Sequence, residues 1–314
     1  MTEAVTRLLE AFRERKPLRS GSLIITLYGD AIAPHGGTVW LGSLINLLEH
    51  FGINQRLVRT SVFRLAQEGW LSAQQVGRRS YYSLTDSGRR RFENAFRRIY
   101  AQPAQQWNGR WCLVFTALPG LDAASREQLQ RELGWQGFGT LAPGVLAHPG
   151  LDAAEIQPTL EAQGAQHKVV VMNADGGSVL GEQPLRELVN LGWDMAHLAE
   201  SWGQFLERFR AVWRALANAQ SLDPQECLLV RTLLIHEYRR LLLRDPQLPD
   251  ELMPADWAGT AARLLCRNLY RLLQGPAERH LLATMETADG PLPEAAPYYF
   301  SRFGGLDQPP DALN

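Results

Sequence analysis

The stretch "NQRLVRTSVFRLAQEGWL", residues 54–71, decides how the first third of the chain is read. Val58, Val62, Leu65 and Ala66 recur at i, i+4, i+7 and i+8, the spacing of one helical face, and Asn54 stands where an N-cap belongs. Arg56, Arg59, Thr60 and Arg64 occupy the other side, most of them near the start of the helix. The first acid is Glu68, placed to pair with Arg64 alone. A face that merely meets water usually mixes signs, because i,i+4 ion pairs support the helix. This one is cationic along three turns, and that composition points to an anionic partner.

Upstream, "SGSLIITLYGDAIA" (20–33) reads as a helix with Ser20 or Ser22 as its cap, and "PHGGT" (34–38) breaks it. "VWLGSLINLLEHFG" (39–52) reads as a second helix, stopped by Gly52, which tolerates the left-handed conformation of a C′ position. Downstream the period changes to two. Residues 71–76 and 80–84 read as strands joined by Gly77-Arg78-Arg79, and a helix capped by Thr85 or Asp86 follows. Helix, helix, turn, helix, hairpin is the order of a winged helix-turn-helix. A helix about 10–12 Å wide fits a major groove about 12 Å across. Asn54, Arg56, Arg59, Thr60 and Arg64 are therefore the expected DNA-facing residues, with Arg78 and Arg79 at the wing. The Arg89–Arg91 triplet, at a helix start, reads more simply as a solvated face, with phosphate contact as the alternative. A winged helix used for protein contact is the competing reading.

The formal net charge of −1 over 314 residues conceals an asymmetry. Residues 1–110 carry 16 Lys+Arg against 8 Asp+Glu, leaving 16 against 25 for the remainder. Two segments of opposite sign suggest different partners. Nearly all the basic residues are arginine, whose fork matches phosphates and guanine edges. Cys112, Cys227 and Cys266 form no CxxC pair and no disulfide framework, so reduced, buried thiols and a cytoplasmic setting are expected. Residues 1–20 lack the apolar core of a secretory leader, and no run of 18 apolar residues exists to span a membrane.

Residues 110–175 read as strand 110–118, helix 122–135, two strands around Pro143-Gly144, helix 152–164 interrupted by Pro158, and strand 167–175. That βαββαβ order is ferredoxin-like. Gly137-Phe138-Gly139-Thr140-Leu141-Ala142 matches GxGxxA formally, but it follows a helix and enters a strand, the reverse of the nucleotide fingerprint. The first strand ends on Thr116, Ala117 and Leu118 rather than carboxylates, and Asp175 alone cannot hold a catalytic metal. The unit reads as a spacer or dimerisation element.

The rest is helical: 184–216, 224–245 and 260–273, with a Pro-punctuated loop at 246–259 and an irregular tail from about 287. "HEYRR" (236–240) is not a zincin motif, because Arg240 stands where a second His is required. His236, Tyr238, Arg239, Arg240 and Trp257 are the expected ligand-facing residues, a cationic helix end opposite an apolar loop suiting an acidic ligand with an apolar arm. Alternatively Arg239 or Arg240 pairs with Asp245, Asp250 or Asp256 and anchors the loop. Trp193, Trp202, Trp213 and Trp257 read as core. No GxSxG and no nucleophile–base pairing is visible, so neither catalytic residues nor a metal site is expected.

"SLIITLYGDAIAPHGG", "WLGSLINLLEHFGI", "LVRTSVFRLAQEGWL" and "GRRSYY.L", with "HEYRRLLLRDPQLPDELMPADWAG" further on, resemble the PaaX family from about residue 17 to 280. The resemblance implies a repressor of a phenylacetate catabolic operon, acting as a homodimer on a double-stranded operator and released by phenylacetyl-CoA or another acyl-CoA. It also implies a Cas2-like version of the central ferredoxin fold. The expectation is thus an α+β multidomain chain: a winged helix-turn-helix domain over 1–104, a ferredoxin-like, Cas2-like domain over 105–178, and a helical effector domain over 179–314. An acyl-CoA-handling enzyme, or a protein-binding adaptor, carrying a winged helix is the alternative.

Overall fold

The computed structural model describes residues 2–101, 107–175 and 182–306, so the boundaries expected at 104/105 and 178/179 lie outside the described residues. The chain packs as two compact units. The first takes in the described parts of Met1–Gln102, Gln204–Arg239 and Thr260–Asn314, and the second those of Pro103–Gly203 and Arg240–Gly259.

The first unit opens with α1 (Glu3–Arg13), which buries Val5, Leu8, Leu9 and Phe12 on one stripe. In α2 (Ser20–Leu27) neither serine caps the helix; Arg19 holds the N-cap position. The hydroxyls are committed to tertiary contacts instead. Ser20 Oγ lies 2.7 Å from Ser61 Oγ, and Ser22 Oγ accepts from Arg239. The helix tightens and widens beyond Leu27, through a π-helical turn at Tyr28–Ile32 and a 3-10 turn at Ala33–His35. The helix expected from residue 39 begins two residues later. Thr38–Trp40 form a short strand, β1, because they pair with Tyr81–Ser83 before α3 (Leu41–Glu49) starts. Gly52, at φ 75°, closes the turn as expected.

The opening stretch folds as read. α4 spans Gln55–Gln67, and Asn54 Oδ1 accepts from the Leu57 N–H over 2.9 Å. Val58, Val62 and Leu65 are buried. β2 (Leu71–Val76) and β3 (Arg79–Leu84) form a hairpin around Gly77-Arg78, in a sheet of order β1-β3-β2. Arg79 belongs to the ladder, opposite Val76, rather than to the connection. α5 (Asp86–Tyr100) is capped by Thr85, whose Oγ1 accepts from the Gly88 N–H over 2.9 Å.

In the second unit β4 (Arg110–Phe115), α6 (Ala123–Trp135), β5 (Gly139–Ala142), β6 (Val145–Pro149), α7 (Ala153–Ala162) and β7 (Val170–Asp175) follow in turn. The sheet has order β5-β6-β4-β7 with every pairing antiparallel, the arrangement of a ferredoxin-like βαββαβ unit. Asp122 caps α6, and Asp152 with Glu155 makes a capping box on α7. Pro158 does not interrupt α7; Ile156 and Leu160 are buried on either side of it and hold the helix against Cys112, Val114 and Leu146.

The helix read over 184–216 is two helices, α8 (Glu182–Gly192) and α9 (Met195–Ala217). Asp194 starts the second, its Oδ1 accepting from the His197 N–H over 3.1 Å. Gly192 ends the first against β5: a Cβ on Gly139 would lie 2.6 Å from the Gly192 carbonyl. α10 covers Pro224–Leu242. α11 covers Ala258–Thr284 and runs through Pro276, well past the end expected at 273. The tail is more regular than its composition suggests. β8 (Glu286–Thr287) and β9 (Gly290–Pro291) pair as a hairpin, and 3-10 turns fill Pro297–Gly304. No described helix is long and apolar enough to cross a membrane. The three cysteines are free and buried, and burial pushes the Cys227 thiol up to about 12.

Candidate nucleic-acid interface

The outer face of α4 carries Arg56, Arg59, Thr60 and Arg64, all exposed, opposite the stripe that packs inward. Thr60 Oγ1 donates to the Arg56 carbonyl over 3.0 Å, which keeps the hydroxyl close to the helix. The Gln55 amide lies beside the Arg59 guanidinium; with its oxygen and nitrogen exchanged, its oxygen would accept from Arg59 Nη2 over 2.8 Å. The expected Arg64–Glu68 ion pair does not form. An acid four residues after a base is the weaker orientation of an i,i+4 pair, and Glu68 is already the C-cap. Arg56, Arg59 and Arg64 thus face solvent without a carboxylate partner among the described residues, while Asn54 serves as the cap at the head of the same face.

The two arginines expected at a wing part company. Arg78 is exposed in the turn. Arg79 projects from β3 onto the C-terminal hairpin, where its Nη1 donates to Glu286 Oε2 over 2.6 Å and its guanidinium lies 4.3 Å over the Trp40 ring. Glu286 is held in turn, its N–H donating to Ser43 Oγ over 3.2 Å. On α5, Arg89–Arg91 are exposed, and Arg91 stacks on Trp70 at 4.7 Å.

The five residues expected to face a ligand fall in both units. His236, Tyr238 and Arg239 lie in the first and are packed. His236 Nδ1 is hydrogen-bonded to Thr26 Oγ1 at 3.0 Å and its ring meets Phe12 edge-on. Tyr238 packs on Phe205. Arg239 Nη2 donates to Ser22 Oγ at 3.0 Å and to its carbonyl at 3.3 Å. Arg239 also lines a narrow slot of about 30 Å³ with Ile25, Phe92, Phe96, Tyr100 and Ile235. In the second unit Arg240 is partly exposed and Trp257 is buried, its indole pressed on the Gly259 backbone. Asp245 accepts from Trp202 Nε1 over 2.9 Å and from the Gln247 N–H over 2.7 Å, which pins the start of the 246–259 loop. Trp202 and Trp257 are core, as expected, and Trp193 and Trp213 are half-buried.

Sequence reading missed the polar heart of the first unit. Asp30, 2% exposed, meets Arg231 and Arg302, both fully buried. Arg231 Nε is 3.1 Å from Asp30 Oδ2, and Arg302 Nη1 is 3.2 Å from Oδ1. Tyr100 and Tyr270 donate to Asp30 Oδ1 at 2.7 and 2.9 Å. Arg231 also donates to Glu278 Oε1 over 2.6 Å. His35 is held through both ring nitrogens, Nδ1 to the Pro293 carbonyl at 2.6 Å and Nε2 to Glu278 Oε2 at 2.8 Å. Burial pushes the Glu278 carboxyl up, but Arg231 and His35 outweigh it and hold the group down at about 2. The signal was available: Asp30 interrupts an apolar helical run, and Arg231 stands inside "LLVRTLLI". A charge on the apolar stripe of a helix demands a buried partner.

Comparison with known proteins agrees along the length of the chain. Residues 19–88 match the family model for PaaX-like protein, residues 104–189 the PaaX protein central Cas2-like domain, and residues 193–283 the PaaX-like protein C-terminal domain. The chain is 40% identical over 298 residues to Transcriptional repressor PaaX of Escherichia coli (strain K12), covering 95% of this chain and 94% of that one. A solved structure, the uncharacterized protein Rv0674 from Mycobacterium tuberculosis, is 27% identical and is matched over 75% of this chain and 88% of that one, with a TM-score of 0.48. From an arginine-faced helix beside a two-stranded hairpin, a ferredoxin-like sheet that matches a Cas2-like model and a relative 40% identical end to end, the conclusion is that this chain belongs to the PaaX family.

Proposed function

We propose that the chain is a transcriptional repressor that reads duplex DNA through a winged helix-turn-helix made of α2 to β3. One observation carries this reading: Arg56, Arg59 and Arg64 project from the exposed face of a helix whose other face is core. The Escherichia coli relative, named a transcriptional repressor rather than an enzyme, supports it. α4 enters the major groove, Arg56, Arg59, Thr60 and Arg64 meet bases and phosphates, and Arg78 at the wing meets the adjacent backbone or minor groove. Two copies on a pseudo-palindromic operator read half-sites about one helical turn, or a multiple, apart. Arg56→Ala and Arg59→Ala in a mobility-shift assay test the assignment. Each is expected to cost about 1–3 kcal/mol and to relax preference at one position. Unchanged affinity and preference in both variants would sink it.

The signal that releases the operator is, in this reading, an aryl-acyl-CoA such as phenylacetyl-CoA. The slot beside Arg239 supports a site for the aryl end: most of its walls are apolar or aromatic, with Thr26, Asp30 and the Ser22-bound Arg239 as its polar members. At about 30 Å³ it holds no more than a water. An aryl group enters only if α5 parts from α2, so the ligand binds an opened state and draws the population toward it. Operator then weakens ligand binding by the factor by which ligand weakens operator binding. Calorimetry with phenylacetyl-CoA, in wild type and Arg239→Ala, tests this. Absence of heat removes the effector and leaves the DNA reading standing.

A further inference from the structure

Phe63 is the anomaly on the outer face of α4. Arg56, Arg59, Thr60 and Phe63 stand at i, i+3, i+4 and i+7, one stripe of a helix, with Arg64 beside them. The Phe63 ring is 59% exposed, more than any other described phenylalanine. Among the described residues it makes no ring contact with another aromatic, and the inward stripe of Val58, Ser61, Val62 and Leu65 does not include it. The fold therefore has no use for this ring. Its setting also argues against an apolar protein partner. Phe63 is ringed by exposed guanidiniums at 59, 64 and, one turn further back, 56, so whatever covers it must be anionic around a small apolar spot.

The major groove of DNA has that pattern. Its rims are phosphate, its floor is polar, and the apolar group standing up from the floor is the C5-methyl of thymine. We propose that Phe63 is a specificity-determining residue that packs on a thymine methyl in each half-site. The proposal rests on the DNA reading above and adds which base is chosen and by what contact. Phe63 lies four residues beyond Arg59, about 6 Å along the helix axis. At 3.4 Å per base step, the thymine falls about two steps from the contact of Arg59.

The test is selection of binding sites from a random duplex pool by the full-length wild type, Phe63→Ala and Phe63→Leu, followed by replacement of the selected thymine with uracil, which removes only the methyl. Wild type is expected to select a thymine in each half-site, and Phe63→Ala to lose preference at that position while keeping the others. Phe63→Leu, still apolar, retains part of it. Uracil is expected to weaken wild-type binding about fourfold, the worth of one buried methyl, and to leave Phe63→Ala unaffected. Identical preferences in wild type and Phe63→Ala overturn the proposal. So does an equal loss on uracil substitution in both, or a changed oligomeric state in Phe63→Ala, which would place the ring against a second copy. If the wild type selects no sequence at all, the DNA reading fails and takes this proposal with it.

Discussion

Arg79 on β3 and Glu286 on the C-terminal hairpin form an ion pair at 2.6 Å across 207 residues of sequence. Both are about half exposed, so the pair itself is weak, yet it separates the two arginines of the β2–β3 hairpin. Among the described residues Arg78 has no such partner and stands exposed in the turn; Arg79 is turned aside, against an acid and the Trp40 ring.

Neutralising that acid is expected to release Arg79 toward DNA. Glu286→Gln should tighten duplex binding and steepen the slope of log affinity against log salt by about 0.9, the contribution of one added phosphate contact. The gain should vanish when Arg79→Ala is combined with it. A gain that persists in the double variant would show that Glu286 acts only as a distant negative charge.

Asn54 separates capping from contact. Asp caps a helix as well as Asn, and its charge suits the helix N-terminus. Asn54→Asp should therefore keep the thermal midpoint near that of wild type while weakening duplex binding, because a carboxylate then sits where phosphates approach. Asn54→Ala should instead lose about 1 kcal/mol of stability in chemical unfolding. Equal duplex affinity for wild type and Asn54→Asp would place residue 54 away from the DNA.

Asp30 is the counter-charge for two buried guanidiniums. Asp30→Asn leaves Arg231 and Arg302 in the core with less than their compensating charge, and a loss of about 3–5 kcal/mol in urea unfolding is expected. Tyr100→Phe removes one hydrogen bond to the same carboxylate and should cost about 1 kcal/mol. A Tyr100→Phe loss as large as that of Asp30→Asn would mean that packing, not charge, holds the cluster.

Glu278 gives the cluster an acid limit. Its carboxyl is depressed to about 2 in the fold against 4.5 in an unfolded chain. A depressed acid contributes stability that is complete above the unfolded value and is lost as pH falls through the folded one. Wild type should therefore lose stability relative to Glu278→Gln between about pH 5 and pH 2, with little difference in slope above pH 5. Parallel curves for the two proteins across that window, measured by urea midpoint, would remove Glu278 as the titrating group.

Sequence reading reached α4, its Asn54 cap, the hairpin and the βαββαβ order because each is written within a few residues. Periodicity, a cap three residues from its N–H, or a glycine at a turn needs no distant partner. It failed where a distant partner wins. Ser20 and Ser22 look like caps but bond Ser61 and Arg239 instead, and Val39 looks helical but pairs with Tyr82. At the candidate site the arginines of α4 were legible, whereas the fate of Arg79 was not.

Alone, the order of amino acids determined α4 with its Asn54 cap, the hairpin that follows and the βαββαβ order, which face of α4 is cationic, and which family the chain resembles. Only the tertiary structure decided that Asp30 meets Arg302 from 272 residues away, that His236 bonds Thr26, and that Glu286 takes Arg79. The reason is physical. Caps and periodicity are satisfied by neighbours in the chain, while a buried or half-buried charge is satisfied by whichever opposite charge the path of the backbone brings within reach.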